Sequence, residues 1–247
     1  MKHKIISILS LVSLLTLFLL GCYGWMLFVV FIWLALTVWG AFDIRLGYFM
    51  PVLYQKKTHK KEIAVTFDDG PTEFTTKILD LLEKHHAKAT FFCIGKQIEI
   101  HPEIFSRIYH EGHQIGNHSY SHSNSFGFFS AKKVKEELHR TNLLIKKYTD
   151  KENLNFRPPF GVTNPHIAMS VRQLGLRVIG WNIRSLDTVI TDENKILKRI
   201  GTKVKPGSIL LLHDTSEKTI RVLEQLLITL QKENYQLVTI NKLLENE

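Results

Sequence analysis

Cysteine is scarce in this chain of 247 residues, and its scarcity excludes two kinds of protein. The two cysteines are Cys22, in a long apolar segment, and Cys93, at the end of a predicted strand. A disulfide-stabilised scaffold and a cysteine-ligated metal site both need more thiols than these. Stability must therefore come from an apolar core, which a hydrophobic content of 45% can supply.

Features typical of nucleic-acid-binding proteins are also missing. The sequence contains no arginine-rich tract, no alternation of basic and aromatic residues, no internal repeat and no low-complexity segment. Its formal net charge of +9 is moderate. Such a charge suits a solvated surface, and it also favours attraction to lipid head groups or to an anionic polymer. We therefore expect no nucleic-acid partner.

Charge is absent altogether from residues 5–42. A single helix of that length would extend ~57 Å at ~1.5 Å per residue, nearly twice the ~30 Å hydrocarbon core of a bilayer. Gly21-Cys22-Tyr23-Gly24 interrupts the run near its middle. The segment therefore predicts two transmembrane helices, at about 4–20 and 25–42, with membrane lipid as a partner. A buried helical hairpin of a soluble protein is the alternative.

Two further interpretations of this N-terminal segment remain open. Lys2 and Lys4 before an apolar stretch resemble the start of a signal peptide, and Leu19-Leu20-Gly21-Cys22 is similar to a lipoprotein cleavage box in which Cys22 would be lipidated. The flanking charges also leave the orientation in the membrane open, because lysines precede the predicted hairpin and an arginine and further lysines follow it. The positive-inside rule would place both ends in the cytoplasm. The chemistry argued below favours a domain outside a bacterial cell membrane.

Beyond a connector at 43–60, apolar runs alternate with helical patterns through a predicted domain at 61–247. This alternation predicts parallel strands joined by right-handed crossovers. The fold class is therefore α/β, with a distorted (β/α)7 barrel of the TIM-barrel type favoured over a doubly wound sheet. We predict strands at 62–67, 88–92, 113–117, 154–157, 177–181, 208–212 and 235–239, and helices at 73–86, 101–110, 130–148, 164–174, 193–202 and 216–232.

Paired carboxylates follow the first of these strands, in the segment Thr66-Phe67-Asp68-Asp69-Gly70-Pro71. Gly70-Pro71 predicts a turn, and an acidic turn is the simplest interpretation of the segment alone. Carboxyl ends of barrel strands, however, are where α/β enzymes place their chemistry. Adjacent residues there point to different sides, so that one carboxylate can bind a cation while the other accepts a proton.

His118 and His122 follow the third predicted strand, four residues apart. That spacing puts both imidazoles on one side of a helical turn or compact loop. Two histidines and one carboxylate form a site with open positions, which suits catalytic zinc and also the facial triad of non-haem iron oxygenases.

Two further residues, Arg157 and His213, sit at predicted strand ends. Arg157, followed by two prolines, projects from a stiff loop and could pair with a carboxylate, or could simply lie on the surface. His213 ends a buried strand and is a candidate general acid. Its carboxylate partner would be Asp187 or Asp214, either of which would raise the pKa of the histidine.

Together these segments resemble the polysaccharide deacetylase family (NodB-homology domain, carbohydrate esterase family 4). The resemblance runs from about Glu62 to Leu243. It rests on four segments in order, which are Thr66-Phe67-Asp68-Asp69-Gly70-Pro71, His118-Ser119-Tyr120-Ser121-His122, Arg157-Pro158-Pro159-Phe160-Gly161 and Leu211-Leu212-His213-Asp214.

The resemblance implies a role for each matching residue. Asp69, His118 and His122 would hold a divalent metal, usually zinc and sometimes cobalt or nickel. Asp68 would be the general base held by Arg157, and His213 the general acid tuned by Asp187. Leu211 and Trp181 would line a pocket for the acetyl methyl group, and the backbone N–H near Phe160 would help to stabilise the oxyanion. Two positions depart from the family pattern, because Phe160 stands where tyrosine is more usual and Thr188 follows Asp187 where tryptophan is frequent.

The expected activity is therefore metal-dependent N-deacetylation of an N-acetylglucosamine-containing glycan, such as peptidoglycan, a chito-oligosaccharide or an exopolysaccharide. An O-acetyl esterase acting on xylan is the alternative within the same class. A non-haem iron oxygenase would use the same three ligands but would leave Arg157 and His213 without a role. An inactive glycan- or metal-binding module would usually lack at least one catalytic group.

Overall fold

Two long apolar helices precede an α/β domain in the computed structural model, which describes residues 2–245. Helix α1 (Lys2–Leu19) and helix α2 (Tyr23–Phe42) fold back on each other about Gly21, whose φ is 70°. The indole Nε1 of Trp33 donates to Ser7 Oγ across the pair at 3.0 Å. Both helices are long and apolar enough to cross a membrane. The predicted hairpin is confirmed, and its place in a membrane stays a prediction.

The described residues of the domain contain one sheet in which all neighbouring strands run parallel. Its spatial order is β1-β6-β5-β4-β3-β2-β8-β7, and β9 pairs separately with β2. In chain order the strands are β1 (Val52–Leu53), β2 (Glu62–Asp68), β3 (Thr90–Cys93), β4 (Gln114–Asn117), β5 (Asn155–Phe156), β6 (Arg177–Ile179), β7 (Ile183–Arg184), β8 (Ile209–His213) and β9 (Gln236–Leu237).

Helices follow most of the strands and cover the sheet. They are α3 (Glu73–Lys84), α4 (Gly95–Ile100), α5 (Pro102–His110), α6 (Ala131–Thr149), α7 (Pro165–Gln173), α8 (Glu193–Gly201), α9 (Glu217–Lys232) and α10 (Ile240–Glu245). The first N–H groups of a helix have no partner within it. At the starts of five of these helices a side-chain oxygen accepts such an N–H group. The accepting side chains are those of Thr72, Ser130, Asn164, Asp192 and Ser216.

A bent segment closes the sheet into a barrel. Strands β6 and β7 are separated only by Gly180-Trp181-Asn182, and β6 pairs with β5 whereas β7 pairs with β8. One short stretch of chain therefore runs from β6, next to one end of the sheet, to β7 at its other end. The predicted distorted (β/α) barrel is confirmed. Strands β1 and β7 and helices α4 and α10 were not predicted. Helices of six residues carry too little periodicity, and β1 and β7 are defined by their pairing with β6 and β8.

Apolar side chains on both faces of the strands form the core. All residues of β2 after Glu62 are buried, and so are all residues of β8 before His213. Such continuous apolar strands are typical of parallel sheets covered on both sides. Polar residues come at the carboxyl ends of the strands, with Asp68 ending β2, Asn117 ending β4 and His213 ending β8. Because these strands are parallel, their polar ends meet at one rim of the barrel, which we call the catalytic rim.

Candidate active site and metal centre

The two adjacent aspartates point to different partners. Asp68 ends β2 and is buried, whereas Asp69 has a φ of 79° and is partly exposed. Left-handed backbone is uncommon outside glycine, and aspartate is one of the residues that adopts it most readily. The change of backbone direction sends Asp68 toward Arg157 and Asp69 toward the two histidines. The predicted separation of the carboxylates is therefore present in the geometry.

Asp69, His118 and His122 form a cluster with the donor set of a metal site. The Nε2 atoms of His118 and His122 lie 3.4 and 3.3 Å from Asp69 Oδ1. One candidate ligand atom from each residue lies within 4.8 Å of the others. Asp69 Oδ1 is buried and has no aligned hydrogen-bond partner. A buried carboxylate oxygen in that state is costly unless a cation compensates it, so these residues fit a divalent metal.

Contacts behind the histidines orient them. His118 Nδ1 lies 2.8 Å from the Arg157 carbonyl oxygen, which can only accept a hydrogen bond. The proton is therefore on Nδ1, and the lone pair of Nε2 faces Asp69. The loop carrying the pair is compact rather than helical, with φ of 65° at Ser119 and 46° at His122. Ser119 Oγ accepts the backbone N–H of His122 at 3.1 Å and so holds the loop at the second histidine.

The charges in this cluster also suit metal binding. Burial raises the pKa of Asp69, but the neighbouring imidazoles outweigh burial and hold that pKa at about 2. Burial and the charge of His118 lower the pKa of His122 to about 4. Burial lowers the pKa of His118 too, but the charges of Asp68 and Asp69 raise it overall. Asp69 and His122 therefore have their ligating form at neutral pH, and a bound cation would favour the neutral imidazole of His118 as well.

Arg157 is fully buried, which excludes the surface position considered from the sequence. Its Nη1 donates to Asp68 Oδ1 and to Thr66 Oγ1, each at 2.7 Å. Its Nε and Nη2 donate to the carbonyls of Ile179 and Gly180 at 3.2 and 2.9 Å. A guanidinium with so many fixed partners holds the Asp68 carboxylate in one orientation.

His213 pairs with Asp187, and Asp214 turns away. His213 Nδ1 lies 2.9 Å from Asp187 Oδ1, and the His213 N–H donates to Asp187 Oδ2 at 2.8 Å. Thr75 Oγ1 donates instead to Asp214 Oδ2, at 2.5 Å. Burial lowers the pKa of His213, but the hydrogen bond and charge of Asp187 outweigh it and raise the pKa to about 9. The imidazole is therefore protonated at neutral pH.

The three predicted pocket residues lie around the same end of the barrel. Phe160 is half exposed, has a φ of 59°, and has its ring centroid 4.7 Å from that of His122. Trp181 packs over Gly161, where an added Cβ would lie 2.6 Å from the indole. Leu211 is buried two residues before the end of β8, beside Thr66. The structure thus brings all ten predicted site residues to the catalytic rim or just inside it.

Supporting residues around the site escaped the sequence analysis. Buried Glu137 in α6 accepts the N–H groups of Tyr120 and Ser121 at 3.1 and 2.8 Å, and so holds the loop that carries both histidines. Asn117 Oδ1 accepts the Ser119 N–H at 2.8 Å in the same loop. The burial of Glu137 could have been predicted from the sequence, because Glu137 shares the apolar face of its helix with Val134.

Comparison with known proteins shows the family. The model described as polysaccharide deacetylase matches residues 55–179, about half of the chain. A peptidoglycan-N-acetylglucosamine deacetylase of Bacillus cereus is 33% identical over 202 residues, which cover 78% of this chain and 92% of that protein. A protein of the same description from Listeria monocytogenes is 32% identical over 195 residues, covering 78% of this chain but only 41% of its own length.

Structural similarity covers the same part of the chain. The crystal structure of a pseudoenzyme of carbohydrate esterase family 4 from Bacillus anthracis covers 78% of this chain and 69% of that one, with a TM-score of 0.73 and 27% identity. Fold and family are therefore shared by active and inactive proteins, and activity must be argued from the site. This chain belongs to the polysaccharide deacetylase family.

Proposed function

We propose that this chain is a membrane-anchored, divalent-metal-dependent N-deacetylase acting on an N-acetylglucosamine-containing glycan. One observation carries the proposal. The Asp68–Arg157 pair, the Asp69–His118–His122 cluster and the His213–Asp187 pair all meet at one rim of the barrel. These are the base, the ligands and the acid that metal-assisted amide hydrolysis needs. The peptidoglycan deacetylases among the relatives support this class of substrate.

Asp69, His118 and His122 would hold the metal, with zinc favoured by the mixed nitrogen and oxygen donors and cobalt or nickel as alternatives. When bound there, the metal supplies an acidified water and polarises the acetyl carbonyl. The three-residue donor set leaves coordination positions for both.

Asp68 is assigned as the general base. It is buried, and Arg157 fixes one of its oxygens at 2.7 Å. Its other oxygen, Oδ2, lies 3.7 Å from His118 Nε2 and therefore faces the metal ligands. A base so placed accepts a proton from an attacking water beside that cluster.

His213 is assigned as the general acid. An amine is a poor leaving group until it is protonated, and a histidine with a pKa near 9 carries the required proton at neutral pH. Asp187 holds the imidazole through Nδ1, so that Nε2 is left to deliver the proton. The need for a protonated acid favours amide hydrolysis over the O-acetyl esterase alternative, because an alcohol leaves more easily than an amine.

The acetyl group is assigned to the space beside Phe160, Trp181 and Leu211. Phe160 lies in a short turn, Pro159–Gly161. The N–H groups of Gly161 and Val162 donate there to the carbonyls of Pro158 and Pro159, at 3.0 and 3.2 Å. We assign the N–H of Phe160 to the oxyanion, a role that a backbone donor fills whether the side chain is phenylalanine or tyrosine.

Acetate release by the full chain in detergent tests this function. The substrates are peptidoglycan fragments, chito-oligosaccharides and acetylated xylan, each with and without a chelator. We expect chelator-sensitive release from the N-acetylated glycans and its loss in Asp68→Asn. Asp192→Asn is the matched control, since Asp192 is an exposed carboxylate that caps helix α8 and contacts Asn194 and Lys195 of that helix rather than a site residue. Release of acetate that does not depend on chelator, or full activity of Asp68→Asn, would refute the proposed mechanism.

The membrane location is part of the same proposal. Both apolar helices fit a span by length and composition, and relatives with cell-wall substrates favour a domain outside the cell. A reporter enzyme fused at the C-terminus tests the orientation. Activity of a reporter that works only outside the cytoplasm is the expected result, and activity of a cytoplasm-only reporter would contradict it.

A further inference from the structure

The end of helix α2 is hydrogen-bonded to the loop that follows the third family segment. The Ala41 carbonyl accepts the Thr163 N–H at 3.0 Å, and the Gly40 carbonyl accepts Thr163 Oγ1 at 3.3 Å. Gly40 is itself buried against the Tyr48 ring, so closely that an added Cβ would lie 2.3 Å from Tyr48 Cγ. The hairpin therefore docks on the domain through backbone groups rather than hanging from a free linker.

The start of helix α1 is fixed at the same place. The His3 N–H donates to the Tyr48 carbonyl at 3.1 Å, and Lys2 Nζ donates to the Leu46 carbonyl at 2.6 Å. Ile6 and Ala41 pack against the core cluster that contains the buried residues of the connector. The start of α1 is thus held by the connector, and the end of α2 is held by the Thr163 loop of the domain.

The attachment lies at the catalytic rim. Thr163 is three residues from Phe160, a distance of at most about 11 Å along the chain, and the Phe160 ring packs on His122. The remainder of the hairpin is almost free of the domain, with 0% and 6% of the two apolar windows buried. If the hairpin spans a bilayer, the catalytic rim is therefore the edge of the barrel nearest to the lipid.

An exposed aromatic side chain lies beside this attachment. Phe128 is 91% exposed at the end of a turn (Phe126–Phe128). The Gly127 carbonyl in that turn accepts Asn164 Nδ2 at 2.6 Å, next to Thr163 in the chain. An aromatic ring with nothing to cover it suits the boundary between head groups and acyl chains.

We propose that the hairpin is a docked platform that holds the catalytic rim at the membrane surface, and that the substrate is an acetylated saccharide carried by a membrane lipid. This inference rests on the proposed function. A site held this close to the hairpin end reaches only glycan near the bilayer. A lipid-linked saccharide is confined to that layer, which raises its effective concentration at the site. A lipid-linked saccharide is confined in this way on either side of the membrane.

Two glycines of α2 provide a matched pair of variants. Gly40→Ala forces a Cβ into the Tyr48 ring and disrupts the docking, whereas the Cβ of Gly24→Ala meets nothing within 4 Å. Neither residue belongs to the site. The full-length proteins are placed in phospholipid vesicles and given a chito-oligosaccharide joined to a dialkyl lipid in the same vesicles, or the same oligosaccharide free in solution.

We expect the wild-type protein and Gly24→Ala to release acetate from the lipid-linked saccharide at least about tenfold faster than from the free one at equal total concentration. Gly40→Ala should lose most of this preference while its rate on the free saccharide stays the same. Equal rates on both substrates for the wild type would overturn the inference. A preference retained in Gly40→Ala would overturn it as well. Failure to release acetate from either substrate would instead refute the proposed function.

A depth measurement tests the placement without relying on Gly40→Ala. A fluorophore is attached at Phe128→Cys or at Asn234→Cys in a Cys22→Ser background, since Cys93 is buried and stays unlabelled. Asn234 precedes β9 and lies at the opposite edge of the barrel. Lipids with a quencher in the head group should quench the probe at 128 far more than the probe at 234. Equal quenching, or stronger quenching at 234, would refute the placement.

Discussion

Replacing Asp187 by asparagine removes the charge that keeps His213 protonated while nearly preserving the shape of the side chain. Asp187 accepts hydrogen bonds from His213 Nδ1, from the His213 N–H, from Ser185 Oγ at 2.6 Å and from Thr219 Oγ1 at 3.0 Å. An amide in its place offers one acceptor oxygen and turns its NH₂ toward donors. The variant therefore weakens both the charge and the hydrogen bonds that raise the pKa of His213.

The size of the effect follows from the pKa. His213 has a pKa of about 9, against an ordinary value of 6.5, and this difference corresponds to about 3 kcal/mol in favour of the protonated imidazole. At about pH 8 some nine-tenths of His213 is protonated with the higher pKa, but only about 3% with the ordinary one. Because a general acid works only when protonated, Asp187→Asn should lose about 30-fold in rate at pH 8. The remaining charges of Asp68 and Asp69 reduce this loss, whereas burial, which lowers the pKa of His213, increases it.

The assay is the initial rate of acetate release, measured from about pH 5.5 to pH 9.5. For the wild type the rate should fall as pH rises through the pKa of His213, at or below about 9 because a bound cation opposes the positive imidazole. This fall in rate should occur at a lower pH in Asp187→Asn and at the wild-type pH in the surface control Asp192→Asn. A variant with the wild-type alkaline limb, and only a uniform loss of rate, would refute the role assigned to this pair.

Three other substitutions test the supporting structure. Arg157→Met leaves Asp68 buried without its partner, and we expect the free energy of unfolding to fall by about 3–5 kcal/mol in denaturant titrations. Glu137→Gln removes the carboxylate that holds the histidine loop. It should weaken zinc binding by about 10–100-fold in competition with a chelating dye. Gly70→Ala places a Cβ 2.0 Å from Asp214 Oδ2 and should cost about 1–3 kcal/mol of stability in the same titrations. Wild-type values in any of these would contradict the contacts described.

Much of the site could be predicted because parallel strands bring their carboxyl ends together. Asp68, Asn117 and His213 end three strands of one sheet, so residues far apart in sequence had to meet at the catalytic rim. The strand pattern alone left the choice between Asp187 and Asp214 open, and only the family resemblance favoured Asp187. The choice depends on which side of β8 each carboxylate reaches, and the structure gives His213 to Asp187.

Other features depend on contacts that no local pattern records. The burial of Arg157 follows from four acceptors, two on β2, one on the last residue of β6 and one on the residue after it, none of them near Arg157 in the chain. Strand β7 has two residues and is recognised as a strand only through its pairing with β8. The bond between Thr163 and Ala41 likewise joins two segments more than a hundred residues apart.

The most direct test of the account is a metal titration of the metal-free full chain, with acetate release from an N-acetylated chito-oligosaccharide followed at each step. Asp69, His118 and His122 form one donor cluster in the described part of the chain. We therefore predict that activity rises linearly with zinc, stops at one equivalent, and is absent from His122→Ala at the same zinc concentrations. Full activity before zinc is added, or an equal rise in His122→Ala, would contradict the central claim that this cluster binds the catalytic metal.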